Sequence, residues 1–217
     1  MPAIAFVSSK GGVGKSTSAA LLAIGLVGRG LTVALVDADP NLPLTAWTEF
    51  GWRTDALPIF SAPKFQDLPA VLRQAKRTAP WVVVDTEGGA PAMSGSAVAN
   101  ADLVITPLSA SWLEAREALK TAGVVSEACR RERRPIPVVA LFSRIPVGRR
   151  RSIKEAVSLL DANGLPVLEA ILNDREIFRR LFSAPSVPVD LSEGGASKHQ
   201  TAREQVQAFS QEVIGFF

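Results

Sequence analysis

Lys10-Gly11-Gly12-Val13-Gly14-Lys15-Ser16-Thr17 decides how this chain is read. The run before it, 3–7, is short and wholly apolar, and the run after it, 16–28, reads as a helix. A strand, a glycine loop and a helix in that order make an anion cradle. Glycines reach backbone angles that other residues resist, so successive N–H groups can converge on phosphate oxygens. The helix adds the positive end of its dipole. Lys15 is placed to reach β- and γ-phosphates, and the Ser16 hydroxyl suits Mg²⁺. The common form G-x-x-x-x-G-K-[ST] is not met, because Ser9 stands at its first glycine; K-G-G-x-G-K-[ST] is met in full. With each residue type at about 5–7% usage, a chance match in this length is on the order of 1 in 10⁴.

Outward from the loop, apolar runs recur at 32–36, 81–84, 103–107 and 137–142. They are rich in Val, Ile and Leu with little alternation, as buried parallel strands are. Helix-like segments lie between them at 66–77, 111–133 and 152–163, the last followed by Gly164 as a C-cap. The alternation predicts one doubly wound α/β domain over 1–217, a mostly parallel sheet with helices on both faces. Ligands in such sheets bind at the carboxyl ends of strands. The Pro/Gly-rich stretches 39–43 and 87–91 follow predicted strands and so fall there. The segment 201–217 is amphipathic, with Val206, Phe209, Val213, Phe216 and Phe217 near one face. Its polar face carries Glu204, Gln205, Gln207, Gln211 and Glu212, which favours packing on the protein body over a membrane surface.

Composition narrows the chemistry. Of 217 residues, 47% are hydrophobic, enough for a core without staples. Cys129 is the one cysteine, so a disulfide within the chain and a zinc or iron–sulfur site built within it are excluded. No secretion signal and no span of roughly 20 apolar residues is evident, so a cytoplasmic protein without membrane attachment is expected. The net charge is only +3, but cations cluster late, at Arg130, Arg131, Arg133 and Arg134, then Arg149, Arg150 and Arg151, then Arg179 and Arg180. Such clustering points to an anionic partner or to solvated helix faces.

The loop, with its extra lysine Lys10, resembles the ParA/MinD superfamily of deviant-Walker ATPases. Asp37-Ala38-Asp39-Pro40-Asn41 is similar to that family's D-x-D-P-Q, with Asn41 in place of glutamine. Asp85, after Val82-Val83-Val84, is similar to its Walker B carboxylate. Leu44-Thr45-Ala46-Trp47 is similar to a segment of small, ParF-like plasmid-partition proteins. The resemblance implies ATP and Mg²⁺ as ligands. Lys10 would reach a partner's phosphates in a nucleotide-sandwich homodimer, and Lys10, Lys15 and Asp39 would be the catalytic set, Asp39 positioning water. The metal shell would comprise Ser16, Asp37 and Asp85. The adenine would lie between Ser143-Arg144 and Leu172-Asn173. Arg149, Arg150, Arg151 and Lys154, with Arg175, Arg179 and Arg180, would contact DNA without sequence preference. A ParB-like or cargo-adaptor protein would stimulate a weak ATPase, and the ATP-bound dimer would associate with the nucleoid. Plasmid or chromosome partition is the function implied, with an accessory ATPase of conjugative transfer or complex localisation as the alternative. A single cysteine, the absence of tyrosine and a non-basic tail set the chain apart from nitrogenase iron protein-like reductases, tyrosine kinases and MinD-like cell-division proteins respectively.

Overall fold

The apolar run after Pro2 forms the central strand, β1 (Ala3–Phe6), with all four residues buried. The computed structural model describes residues 1–49, 54–147, 150–183, 191 and 199–217, and for 150–152 the backbone alone. Around β1 stand β2 (Val33–Ala38), β3 (Ile59–Ser61), β4 (Trp81–Thr86), β5 (Leu103–Leu108), β6 (Val138–Ile145) and β7 (Val167–Asn173). The order across the sheet is β3-β2-β4-β1-β5-β6-β7, and every pairing is parallel. Parallel neighbours need crossovers, and helices supply them. These are α1 (Lys15–Val27), α2 (Pro43–Glu49), α3 (Leu68–Thr78), α4 (Pro91–Asn100), α5 (Trp112–Glu132) and α6 (Arg150–Ala162), followed by α7 (Glu176–Arg179) and α8 (Gln200–Ile214).

Side chains alternate across the sheet, so each strand feeds two cores. Ile4, Phe6, Leu35, Val83 and Ile105 face the layer of α1, α2, α7 and α8. Ala3, Ala5, Val36, Val84 and Val104 face α3, α4 and the C-terminal half of α5. A third cluster joins the start of α5 to α6 through Ala115, Ala118, Ala156 and Leu160. Helix α1 is covered nearly all round, because α8 lies across it. At their crossing a Cβ on Gly25 would stand 2.8 Å from Ser210 Cβ and 2.9 Å from the Val206 carbonyl. The amphipathic tail thus packs on the body: Val206, Phe209 and Val213 are fully buried, and the Phe217 ring meets Trp81 edge-on at 5.6 Å. Among the described residues no helix is long and apolar enough to cross a membrane.

Two strands, β3 and β7, do not stand out as apolar runs. Both lie at sheet edges, where one side of the pattern faces solvent: β3 is three residues long, and β7 alternates buried with exposed or half-exposed positions. The β7 edge is met midway by a side chain. Glu212 of α8 accepts from the Glu169 amide at 2.8 Å and from the Ala170 amide at 2.9 Å.

Candidate nucleotide site

The phosphate loop leaves β1 at the centre of the sheet and enters α1 through two left-handed glycines, Gly12 (φ 77°) and Gly14 (φ 92°). A side chain at either position would be strained. Lys15 opens α1 almost fully buried, and its Nζ donates to the Lys10 carbonyl at 3.3 Å. Burial lowers its pKa, while Asp85, Asp39 and Glu87 pull the other way. Glu87 therefore lies within electrostatic reach of the loop. So does its neighbour Gly88: a Cβ there would come within 2.7 Å of both Lys10 O and Lys15 Nζ. The turn after β4 rests directly on the phosphate loop, and its Gly89 amide donates to Ser8 O at 3.2 Å.

Lys10 points elsewhere. Its Nζ bonds Glu114 Oε1 on α5, half its side chain is exposed, and this partner raises its pKa. Ser9, standing where an ordinary loop has glycine, is also held by α5. Its amide donates to Thr121 Oγ1 at 3.3 Å and its hydroxyl to Glu117 Oε2 at 2.9 Å. The departure at Ser9 thus serves to anchor the loop.

Three aspartates sit at the carboxyl ends of β2 and β4, or just beyond, and they differ in what they already hold. Asp37 and Asp85 lie within their strands, side by side in register. Asp37 is fully buried and spends Oδ2 on the Leu44 and Thr45 amides, at 2.9 and 2.8 Å, and Oδ1 on the Asp39 amide at 3.4 Å. It satisfies the N-terminus of α2, where a negative charge is favourable. Burial raises its pKa and these amides oppose the shift. Asp39 Oδ1 accepts from the Asn41 amide and side chain at 2.8 and 3.0 Å, closing a local turn. Asp85 is fully buried, and neither oxygen has a hydrogen-bond partner among the described residues. Burial pushes its pKa up to about 7; Ser16, near enough to lower it but outside hydrogen-bond geometry, opposes this, as does Lys15, while Asp37 and Asp39 add to the rise.

An orphaned buried carboxyl is costly unless something arrives to meet it. The Asp85 carboxyl and the nearby Ser16 hydroxyl are oxygen donors of the kind that would suit a hydrated divalent cation. Among the described residues no group of three His, Cys, Asp or Glu could cage a metal alone. A cation here would take its remaining ligands from water and phosphate.

Beside the first turns of α1, Thr17, Leu21, Ser143, Leu172 and Phe178 line a narrow cleft. The sequence placed the base between Ser143-Arg144 and Leu172-Asn173, and these residues do flank the cleft. Their polar groups, however, are engaged within the protein. Asn173 Nδ2 donates to Ile145 O at 3.0 Å, and its Oδ1 accepts from Gln205. Ser143 and Arg144 bond the phosphate loop itself. Of the expected DNA-contacting cations, Arg149 lies outside the described residues, as do the side chains of Arg150 and Arg151 at the start of α6. Lys154 and Arg180 are exposed. Arg175 bonds Gln205 at 3.0 Å, and Arg179 pairs with Asp174 at 2.9 Å. Sequence reading missed the roles of Gly88, Glu114, Glu117, Thr121 and Gln205. All but Gly88 sit on helices far along the chain, where no local pattern marks them.

An all-parallel sheet, a two-lysine phosphate loop and an orphaned strand-end carboxyl define a P-loop nucleotide-binding protein of the ParA/MinD superfamily. A family model described as VirC1 protein matches residues 1–209, and the chain belongs to that family. It is 33% identical over 183 residues to Protein virC1 of Rhizobium rhizogenes, covering 82% of this chain and 79% of that protein. It is 30% identical over 183 residues to Protein ParA of Rhizobium radiobacter, covering 84% and 82%. Among solved structures, the septum site-determining protein MinD from Pyrococcus horikoshii OT3, complexed with Mg-ADP, matches with a TM-score of 0.72. That match covers 98% of this chain and 95% of the other at 19% identity, a likeness of fold. The chain is thus a ParA/MinD-superfamily ATPase by family, related to plasmid-partition proteins.

Proposed function

We propose that this protein is a weak, partner-stimulated ATPase whose ATP-bound form is a homodimer that holds DNA without sequence preference and so positions a cargo, a plasmid or chromosome. The observation that carries this reading is the divergence of the two lysines. Lys15 is buried and faces its own loop, whereas Lys10 leaves the loop and stands half-exposed beside Glu114. One lysine suffices to hold a phosphate chain, so an outward second lysine suits the phosphates of a second copy. There it would neutralise charge that builds up in transfer, as an arginine finger does.

In this reading Gly11, Gly12, Val13 and Gly14 bind phosphate oxygens through their amides, and Lys15 neutralises them. Ser16 and Asp85 would hold a divalent cation, which would supply positive charge to the phosphates. Asp37 keeps β2 and α2 in register beneath the cation, and Asp39 aims water with the oxygen that Asn41 leaves open. The γ-phosphate is the differential contact that biases the dimer. Lys154 and Arg180, with Arg149, Arg150 and Arg151, supply the DNA-facing charge. Arg175 and Arg179 would join them only by giving up their present partners.

The test measures retention of unrelated DNA duplexes with ATP, with ADP and with no nucleotide. Retention is expected with ATP alone, falling with salt by about 0.9 in log–log slope per phosphate neutralised. Lys15→Ala should behave as the nucleotide-free protein, and Lys10→Ala should bind ATP yet stay monomeric. Equal retention in all three states would sink the proposal. Sequence-selective retention independent of nucleotide would favour the alternative, an accessory ATPase of DNA transfer or complex localisation.

A further inference from the structure

Ser143 and Arg144 lie near the carboxyl end of β6, which runs past the apolar stretch 137–142 as far as Ile145, and were expected to touch the base. Their hydrogen bonds go to the phosphate loop. The Ser143 hydroxyl, buried, donates to Val13 O at 2.7 Å, and Arg144 Nη1 donates to Gly12 O. Two consecutive residues of one strand thus grip two consecutive carbonyls of the loop. Arg144 does so from a left-handed backbone (φ 55°), a conformation that a long side chain adopts only where the surroundings enforce it. It also lines both the narrow cleft beside α1 and the open cleft of about 300 Å³ beside Lys10, so it spans the outer wall of the loop. The fit is close: a Cβ on Gly14 would meet Ser143 Oγ at 3.0 Å and Arg144 Cγ and Cδ at 3.4 Å.

The carbonyl and the amide of one trans peptide unit point in opposite directions. Gly12 O held toward Arg144 therefore turns the Val13 amide away from it. Val13 O held toward Ser143 does the same for the Gly14 amide. These are amides that a phosphate nest needs. Donors fixed before the anion arrives cost no reorganisation when it binds.

We propose that Ser143 and Arg144 form a brace that preorients the phosphate-loop amides, making them positioning residues for the triphosphate and not readers of the base. This rests on the loop being the phosphate site. Lys15→Ala tests that premise separately: if it binds ATP as tightly as the unaltered chain, the site assignment fails, whatever the brace does.

The experiment compares equilibrium affinity for ATP and for inosine triphosphate, with Mg²⁺, in the full chain and in Arg144→Gly, Arg144→Lys and Ser143→Ala. Glycine keeps the left-handed backbone at no steric cost, so Arg144→Gly should melt at or above the temperature of the unaltered chain. It should lose about 10-fold or more in affinity for both nucleotides by the same factor, as loss of one charge-assisted hydrogen bond allows. Arg144→Lys should recover most of the loss. Ser143→Ala should weaken both nucleotides in the same ratio. Unchanged affinity in Arg144→Gly would overturn the brace. A loss confined to ATP, with the inosine nucleotide unaffected, would return these residues to the base.

Discussion

Burial holds the Asp85 carboxyl near pH 7, and this has a measurable sign. The unfolded chain ionises this group from about pH 4 upward, whereas the folded chain keeps its proton until about 7. Between those values the native state binds the extra proton, so Asp85 stabilises the nucleotide-free protein below pH 4 relative to neutral pH, and stability falls as pH rises to 7. Asp85→Asn removes the titration. Its advantage over the unaltered chain should grow across that window to on the order of 2–4 kcal/mol and then level off. Denaturant titrations at pH 5, 6, 7 and 8, without nucleotide or divalent cation, check this; an advantage independent of pH would show that Asp85 is not strained by its charge. The same variant should bind Mg-nucleotide poorly, separating fold from site. That Lys15, Asp39 and Asp85 gather at one loop was legible in the sequence, because each sits in a short local motif. What each aspartate already holds was not, since a motif records proximity to phosphate but not which backbone amides arrive from α2. Gly88 could be read only as a loop residue, because its contact with Lys10 and Lys15 is a fact of packing.

Helix α1 carries the phosphate loop, so its seating sets where the cradle points. Gly25 lets α8 cross it at backbone distance. Gly25→Val would drive side-chain atoms into Ser210 and the Val206 carbonyl, which is backbone and cannot swing aside. A loss of about 2 kcal/mol or more is expected, overpacking exceeding what valine gains in helix propensity over glycine. Thermal unfolding checks it. Gly25→Ala should cost less, because propensity offsets part of the clash. The strands bearing the site were legible as unbroken apolar runs because both their faces are covered. Strands β3 and β7 escaped because an edge strand has a wet side, and α4 because Ser94, Gly95 and Ser96 dilute its apolar face. The expectation that the sheet would be mostly parallel was conservative, since every described pairing is parallel.

Across the whole molecule, the nucleotide-bearing end is bound together by long-range contacts. Helix α5 holds Ser9 and Lys10, α8 holds Asn173 and Arg175 through Gln205, and Glu212 meets the edge of β7. Glu212→Ala would leave the Glu169 and Ala170 amides without this acceptor, a cost of about 1–3 kcal/mol. It would also open a strand edge to other chains. Light scattering on incubation should show slow association in the variant and none in the unaltered chain; two equally quiet samples would show that the carboxylate does not guard the edge. The opposite margin is blunted differently, by a strand of only three residues. Both margins of the sheet are thereby poor templates for pairing with another backbone. An assembly mortared by side chains and ligand would then dissolve when the ligand leaves, which a fibre stitched through its amides could not do.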